Sequence, residues 1–397
     1  MRILHMNDNY RPFGGAERYL HSLCGELEGS GHQVFKFCAE VDEVVPEINS
    51  LVFRESSSLN LRRVQQHSFH PRLFVELRNY IDKVQPDVVH LHNINKYPAT
   101  LLLAATRNRR APVVQSVHDY SIVCPRTWNV TLDGEACTGG PGLQCRRCLS
   151  VRLVPRIFVN LVRRHLSRNV DAFIVASRDM KGMLEAAGYR NVHQVPYFMD
   201  IQGFQPDFGK KEVGRILHVA QLARHKGTSY LLEAMSLVSR ELPGARLHII
   251  GGGPEETNLK ELARRLGLDD AVTFYGSLWD DERLEEEYQK ASVVVISSVW
   301  MENTPLVALQ AMAAGTPLVA NNKGGVAEVL EEGETGFLVD PRHPEQMADR
   351  IVRILRDPAL AARMGEKAVK KAQEFSKERH VQMVLGVYEQ TLRWFRA

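Results

Sequence analysis

Short apolar runs punctuate the chain, and between them apolar residues recur at helical spacing. The runs near 2–6, 112–117, 171–177, 215–220, 246–250, 272–278 and 293–298 read as strands, most of them closed by glycine or a small polar turn. Strand and helix patterns alternate in both halves without a short internal repeat or a low-complexity tract. The expected class is therefore α/β, with two Rossmann-like doubly wound domains facing a cleft.

The most informative unit follows Val293-Val294-Val295-Ile296-Ser297-Ser298. A loop carrying one carboxylate, Glu302, leads to a helix whose start is marked by Thr304 and Pro305. A helix opening at the end of a parallel strand aims its N–H groups at whatever lies there, and a phosphate suits that place. A nucleotide is the expected guest. Other strand ends carry chemistry too. Gly14 and Gly15 open a helix after the first strand, where two glycines let the backbone approach a diphosphate or an acceptor. His118-Asp119-Tyr120 closes the run at 112–117, although a lone histidine at a strand end is more often structural or solvated. Gln221, Arg224, Lys226 and Gly227 follow the run at 215–220. Gly251-Gly252-Gly253-Pro254 follows the next, and Lys323-Gly324-Gly325 comes near the end of the second half.

Together these segments resemble, over essentially the whole chain, the retaining, nucleotide-sugar-dependent glycosyltransferases of family four, which have the GT-B fold. Glu302 matches the first acid of that family's E-x7-E signature, which addresses hydroxyls of the donor sugar. Gln310 stands where the second acid, a ribose partner, is expected, and Asn303, Thr304, Pro305 and Leu306 complete the sugar and ribose segment. An amide still accepts and donates hydrogen bonds to a diol but carries no charge. His118 matches the family histidine that contacts the sugar near its reacting carbon. Lys226 matches the lysine of Gly-Arg-Leu-x-x-x-Lys-Gly, in which Arg and Lys neutralise the leaving diphosphate. The arginine position is Gln221, with Arg224 as the candidate substitute, and Gly15 matches the phosphate and acceptor loop. The nucleobase is expected beside Gly252, Tyr275 and Leu278, held mainly by backbone groups, so a UDP-sugar and a GDP-sugar are both admitted.

The resemblance implies an acceptor-binding domain over 1–196, a donor-binding domain over 197–375, and a terminal helix over 376–397 that crosses back to the first. The active site is expected in the cleft, and transfer would proceed by front-face displacement, the departing phosphate helping to deprotonate the acceptor hydroxyl. No cofactor is expected for catalysis. Polysaccharide or lipid-linked glycan synthesis is the expected setting. Two other readings stand beside this one: a nucleotide-sugar epimerase, which also uses twin Rossmann domains, and a noncatalytic nucleotide-binding or scaffold member, suggested by Gln221 and Gln310.

Composition adds bounds. With 397 residues, 44% apolar and 24% charged, the chain suits an ordinary soluble protein of two domains. No leader and no membrane-spanning run is expected, which points to the cytoplasm. The net charge of +3 hides a local excess: residues 136–170 hold no Asp or Glu, yet include Arg146, Arg147, Arg152, Arg156, Arg163, Arg164 and Arg168. Ile157, Phe158, Leu161 and Val162 fall at helical spacing among them, a pattern suited to the anionic inner face of a membrane or to an acidic acceptor, with the solvated face of an ordinary surface helix as the alternative. Nucleic acid is not an expected partner, since interleaved aromatics and any recognition module are missing. Cys24 and Cys38 read as buried small apolar residues. Cys124, Cys137, Cys145 and Cys148 share a Gly-rich segment in which Cys145 and Cys148 have knuckle spacing; structural zinc and plain thiols both stand, ahead of disulfides.

Overall fold

The computed structural model describes residues 1–9, 15–40, 50–52, 69–107, 109–124, 137, 145, 154–198, 204, 206–278 and 280–397. It contains two sheets. The first has the order β3-β2-β1-β4-β5-β6-β7, built from β1 (Arg2–Asn9), β2 (Gln33–Glu40), β3 (Ser50–Val52), β4 (Val88–Leu91), β5 (Val113–Val117), β6 (Ala172–Val175) and β7 (Val192–Gln194). The second has the order β10-β9-β8-β11-β12-β13, from β8 (Arg215–Val219), β9 (Arg246–Ile250), β10 (Val272–Phe274), β11 (Val293–Ile296), β12 (Leu318–Asn321) and β13 (Gly336–Val339). Pairing between these strands is parallel throughout.

The local sequence explains the strands. Strands β4, β5, β6, β11 and β12 are buried at every position, because helices on both faces of a parallel sheet leave no solvated side. In the second sheet, alternate residues feed two separate cores: Val293, Val295 and Val319 enter one, while Val294, Ile296, Leu318 and Ala320 enter the other. That is the period of two that a pleated strand imposes. Helix starts are marked chemically, by Ser177 accepting from the Met180 N–H, by Asp280 accepting from the Glu282 and Arg283 N–H groups, and by Pro71 and Pro98 in first turns.

Both sheets reverse their strand order once, between β1 and β4 in the first and between β8 and β11 in the second. Loops leaving the carboxyl ends of those two neighbours part to opposite faces and leave a crevice, the usual ligand position of an open α/β sheet. The chain divides into two compact units, Met1–Pro196 with Glu378–Ala397, and Tyr197–Lys377. The terminal helix, Lys377–Arg396, is bound to the first unit by His380, whose Nδ1 lies 2.8 Å from the Pro196 carbonyl and whose Nε2 lies 2.9 Å from the Tyr19 hydroxyl. Tyr388 adds a 2.6 Å hydrogen bond between its hydroxyl and His90 Nδ1. Among the described residues, no helix is long and apolar enough to cross a membrane.

Candidate active site

In the second unit, the loops that leave β8 and β11 meet at the point where the strand order reverses. Lys226 closes the short turn Arg224–Lys226 after β8, and Glu302 lies in the loop after β11. The Lys226 Nζ stands 2.5 Å from Glu302 Oε1, and the Ser298 hydroxyl donates to the same oxygen at 2.6 Å. The Lys226 ammonium lies 5.3 Å from the centre of the Trp300 ring, and His225 packs edge-on against that ring at 4.9 Å. Glu302 is only 7% exposed. Burial alone would raise its pKa, but the Lys226 charge and the hydrogen bonds from Lys226 and Ser298 outweigh it and hold the carboxyl below its ordinary value.

Backbone contacts fix this pair. Ser297 donates its hydroxyl to the Lys226 carbonyl at 2.9 Å, and the Val299 N–H donates to the His225 carbonyl at 2.9 Å. Gly227 has φ +65°, and a Cβ there would lie 2.0 Å from the Ser297 carbonyl oxygen, so no other residue fits the crossing of the two loops. A third loop adds support. Glu302 forms an isolated parallel bridge with Gly324, and the Gly325 N–H donates to the Glu302 carbonyl at 2.7 Å. A Cβ on Gly325 would sit 1.4 Å from the Asn303 carbonyl oxygen. The Gly324-Gly325 pair thus lets the backbone carrying Glu302 lie directly against its neighbour.

The other candidate residues of this unit are distributed less simply. The helix after Glu302 is Leu306–Ala313, with Pro305 as its N-cap, and Thr304 is buried just before it. Gln310 does not present its carbonyl outward: its Oε1 accepts a 2.9 Å hydrogen bond from the hydroxyl of buried Tyr288. Arg224 is paired with Glu255 at 3.3 Å rather than with Glu302, and its side chain is 88% exposed. Gln221 is also exposed. Gly252 accepts from the Leu222 N–H at 3.0 Å, joining the ends of β8 and β9. Tyr275 donates its N–H to the Ile249 carbonyl at 2.9 Å and shares a 2.8 Å side-chain hydrogen bond with His248, while Leu278 packs on the core.

The first unit carries a different constellation. His118 follows β5 and is half-buried, and its Nε2 lies 3.1 Å from His92 Nδ1. His92 follows β4, and its Nε2 lies 2.9 Å from Nδ1 of His5 on β1. His90, whose Nε2 lies 2.8 Å from the Ser116 hydroxyl, flanks this row. Desolvation pushes His118 down to about 4, partly opposed by Asp119, and pushes His5 down to about 3 with help from Lys36. His90 and His92 are driven well below the ordinary histidine value, first by burial and then by neighbouring imidazoles. Sequence reasoning singled out His118 and missed His5, His90 and His92. The available signal was a histidine within an apolar run at His5 and His90, and another just past the end of that run at His92.

Gly15 begins the helix Gly15–Gly29 and is exposed; Gly14 lies outside the described residues. Cys24 and Cys38 are buried. Cys124 and Cys145 are buried and Cys137 is half-buried, while Cys148 lies outside the described residues. Among the described residues, the grouping of possible ligand atoms close enough for one ion is His5, His90 and His92, not the cysteines. Arg163 corrects the picture of an outward basic face. It is 7% exposed and donates to Asn95 Oδ1 and the Ser121 hydroxyl, both at 2.7 Å, with Asp119 and Asp8 supplying favourable charge nearby. Of the remaining arginines in that stretch, Arg164 donates to the Ala187 carbonyl at 2.8 Å, Arg168 is exposed, and Arg146, Arg147, Arg152 and the side chain of Arg156 lie outside what the structure describes.

Comparison with known proteins completes the assignment. Residues 13–202 match Glycosyltransferase Family 4, and residues 202–371 match Glycosyl transferases group 1. The chain belongs to glycosyltransferase family 4. Its fold is GT-B: the Anabaena protein HepE, solved in complex with UDP, superposes with a TM-score of 0.75 at 20% identity, over 98% of this chain and 100% of that one. The Bacillus subtilis protein EpsD, assigned as a glycosyltransferase, is 26% identical over 352 residues, covering 84% of both chains. An exopolysaccharide phosphotransferase of Streptomyces coelicolor is 33% identical over 203 residues, which is 50% of this chain but only 21% of that protein's length. Several other curated relatives are covered over about half their length.

Proposed function

We propose that this family 4 protein transfers a sugar, with retention, from a nucleoside-diphosphate sugar to a hydroxyl acceptor in glycan synthesis. The observation that carries the proposal is the Lys226–Glu302 pair at the β8/β11 reversal. Lys226 has three N–H donors, so it can keep Glu302 and still reach diphosphate oxygens. Charge accumulates on the leaving diphosphate as the glycosidic bond breaks, and a preformed cation stabilises that transition state without rearrangement. Glu302, ionised and fixed by Ser298, is suited to accept from sugar hydroxyls. His118 is assigned to the transferred sugar through its match to the family histidine. The donor is a UDP- or GDP-sugar: HepE is described in complex with UDP and with UDP-glucose, and a mycobacterial relative is described as GDP-mannose-dependent. Exposed arginines such as Arg168 favour an acidic or lipid-linked acceptor.

One observation favours a noncatalytic reading, namely the engagement of Gln310 with Tyr288 where a ribose partner is expected. The deciding experiment incubates the protein with UDP-, GDP- and ADP-sugars and follows nucleotide release with and without hydroxyl and lipid-linked acceptors. Acceptor-dependent release of one nucleotide, with the product's anomeric configuration matching the donor's, is the expected result. A changed sugar without acceptor identifies an epimerase, and binding without turnover identifies a noncatalytic protein. Activity that survives both Glu302→Ala and Lys226→Ala overturns the site assignment.

A further inference from the structure

The row His5, His92, His118 steps across three neighbouring strands, β1, β4 and β5, with ring centroids 5.2 Å and 5.3 Å apart. Two hydrogen bonds join the three rings, His5 Nδ1 with His92 Nε2 at 2.9 Å and His92 Nδ1 with His118 Nε2 at 3.1 Å. A neutral imidazole has one N–H and one lone pair. The single proton of His92 therefore decides both contacts at once, and the row has only two proton arrangements. In one, each ring carries its proton on Nδ1, so that His5 donates to His92 and His92 donates to His118. In the other, each ring carries it on Nε2 and every bond reverses.

The far end of the row favours one of them. His5 Nε2 is buried and has no hydrogen-bond partner. The first arrangement leaves a bare lone pair there, whereas the second leaves a buried N–H with no acceptor. Unsatisfied buried N–H groups are the rarer defect in folded proteins. A metal reading of His5, His90 and His92 competes poorly, because both ring nitrogens of His90 already hold hydrogen bonds to groups outside the trio, Tyr388 and Ser116.

We propose that His5 and His92 are positioning residues that fix His118 as the Nδ1–H tautomer, so that His118 meets its ligand as a hydrogen-bond donor and not as a base. The bond to His92 occupies Nε2 as an acceptor, which leaves Nδ1 as the protonated nitrogen. Donation suits an oxygen-rich sugar or a phosphoryl oxygen. Burial keeps the row neutral at physiological pH, so the arrangement survives there. The consequence for transfer rests on the proposed function, but the tautomer itself does not.

The test has two arms. In protein with 15N-labelled histidine, long-range proton–nitrogen correlation separates protonated from bare ring nitrogens, with His118 assigned by its loss in His118→Gln. The expected spectrum at neutral pH shows His118 protonated on Nδ1; protonation on Nε2 overturns the proposal. In the second arm, His92→Gln supplies an amide that can donate to His118 and accept from His5, and His92→Leu supplies neither. The expected kcat of His92→Leu is roughly 10- to 100-fold down, with little change in donor KM, and His92→Gln recovers most of the loss. A purely structural role would favour Leu at this buried site, and equal or better activity in His92→Leu overturns the link to turnover. If native protein shows no transfer at all, the function fails while the spectrum still decides the tautomer. The native spectrum also decides it should His92→Leu not fold.

Discussion

The two units solve the same topological problem with opposite electrostatics. At the β8/β11 reversal, the second unit holds an ion pair, Lys226 with Glu302, braced by Ser298 and by loop crossings that only glycine allows. Beside the β1/β4 reversal, the first unit holds no such pair in its row of imidazoles, which burial keeps neutral. Charge is placed where a ligand is expected to bring charge, and hydrogen-bond polarity where a neutral sugar is expected. The sharpest break of this comparison is Lys226→Ala. It strands the Glu302 carboxylate in a buried site, at a cost of about 3–5 kcal/mol of stability, and removes the cation proposed to face the leaving group, with an expected fall in kcat of about 10²- to 10³-fold. Adding Glu302→Ala should restore much of the stability and none of the activity. Thermal unfolding and single-turnover rates on the three proteins check this, and a Lys226→Ala enzyme with native melting and turnover would remove the pair from the centre of the site.

Next in size is Gly325→Ala. Its Cβ would meet the Asn303 carbonyl oxygen at 1.4 Å, a backbone atom that no side-chain rotation can move aside. The loop holding Glu302 has to shift, at an expected cost of about 3 kcal/mol, with activity falling alongside. Gly182→Ala is the matched control: it lies in the helix Arg178–Ala186 with nothing within 4 Å of the added carbon, and should stabilise by about 0.4–1 kcal/mol. Urea midpoints separate the two. Equal midpoints would mean that the close approach around Glu302 is soft.

Acid should distinguish the units by a smaller margin. His5 at about 3, His118 and His380 at about 4, together with depressed His90, His92, His32 and His193, lie in the first unit, whereas the second has His218 and His225, each at about 4, and a depressed His248. Burial is the leading cause in each. Because these folded values lie below 6.5, the unfolded chain binds more protons as pH falls from about 6.5 towards 4, and stability drops across that window. Above about 6.5 the contribution of these neutral rings is complete. Asp8, raised by burial to about 7, works the other way in the first unit, but it is one group against seven. Glu302 loses its contribution only below its ordinary carboxyl range. Hydrogen exchange at pH 7.5 and pH 5 should therefore show protection falling further in β1, β4 and β5 than in β8 and β11. Equal losses would mean that the imidazole row is not what holds the first sheet's centre.

Much of this was legible in the sequence because it is local. A buried parallel strand can be an unbroken apolar run, as in Val293 to Ile296, and Lys226, Glu302 and Gly324-Gly325 lie in the loops that follow β8, β11 and β12. What was not legible is relational. His5, His92 and His118 are 87 and 26 residues apart along the chain, and only the order of β1, β4 and β5 brings them together. Arg163 reads as one more cation on a basic helix until the fold turns it toward Asn95 and Ser121. Arg224 looks like a replacement for the missing arginine at Gln221, yet Glu255, on the neighbouring glycine loop, takes its charge. Spacing shows which residues are near a strand end, but not which partner each one finds.

The finest test concerns Gln310, where family resemblance expects an acid. The Tyr288 hydroxyl donates to Oε1 at 2.9 Å, and in this orientation the amide has Nε2, a donor, as its other face. A ribose diol can accept from that group but finds no carboxylate to receive its own protons. In Gln310→Glu, one oxygen keeps the bond from Tyr288 and the other becomes a charged acceptor. Hydrogen bonds to charged groups exceed neutral ones by about 1 kcal/mol, so nucleotide affinity should rise by roughly fivefold in calorimetry if ribose binds here. Tyr288→Phe releases the amide and should cost about 1 kcal/mol of stability with little change in affinity. A Gln310→Glu variant that binds nucleotide more weakly than the native protein would mean that the ligand needs the amide's N–H, and that the second acid's role has been replaced and not merely weakened.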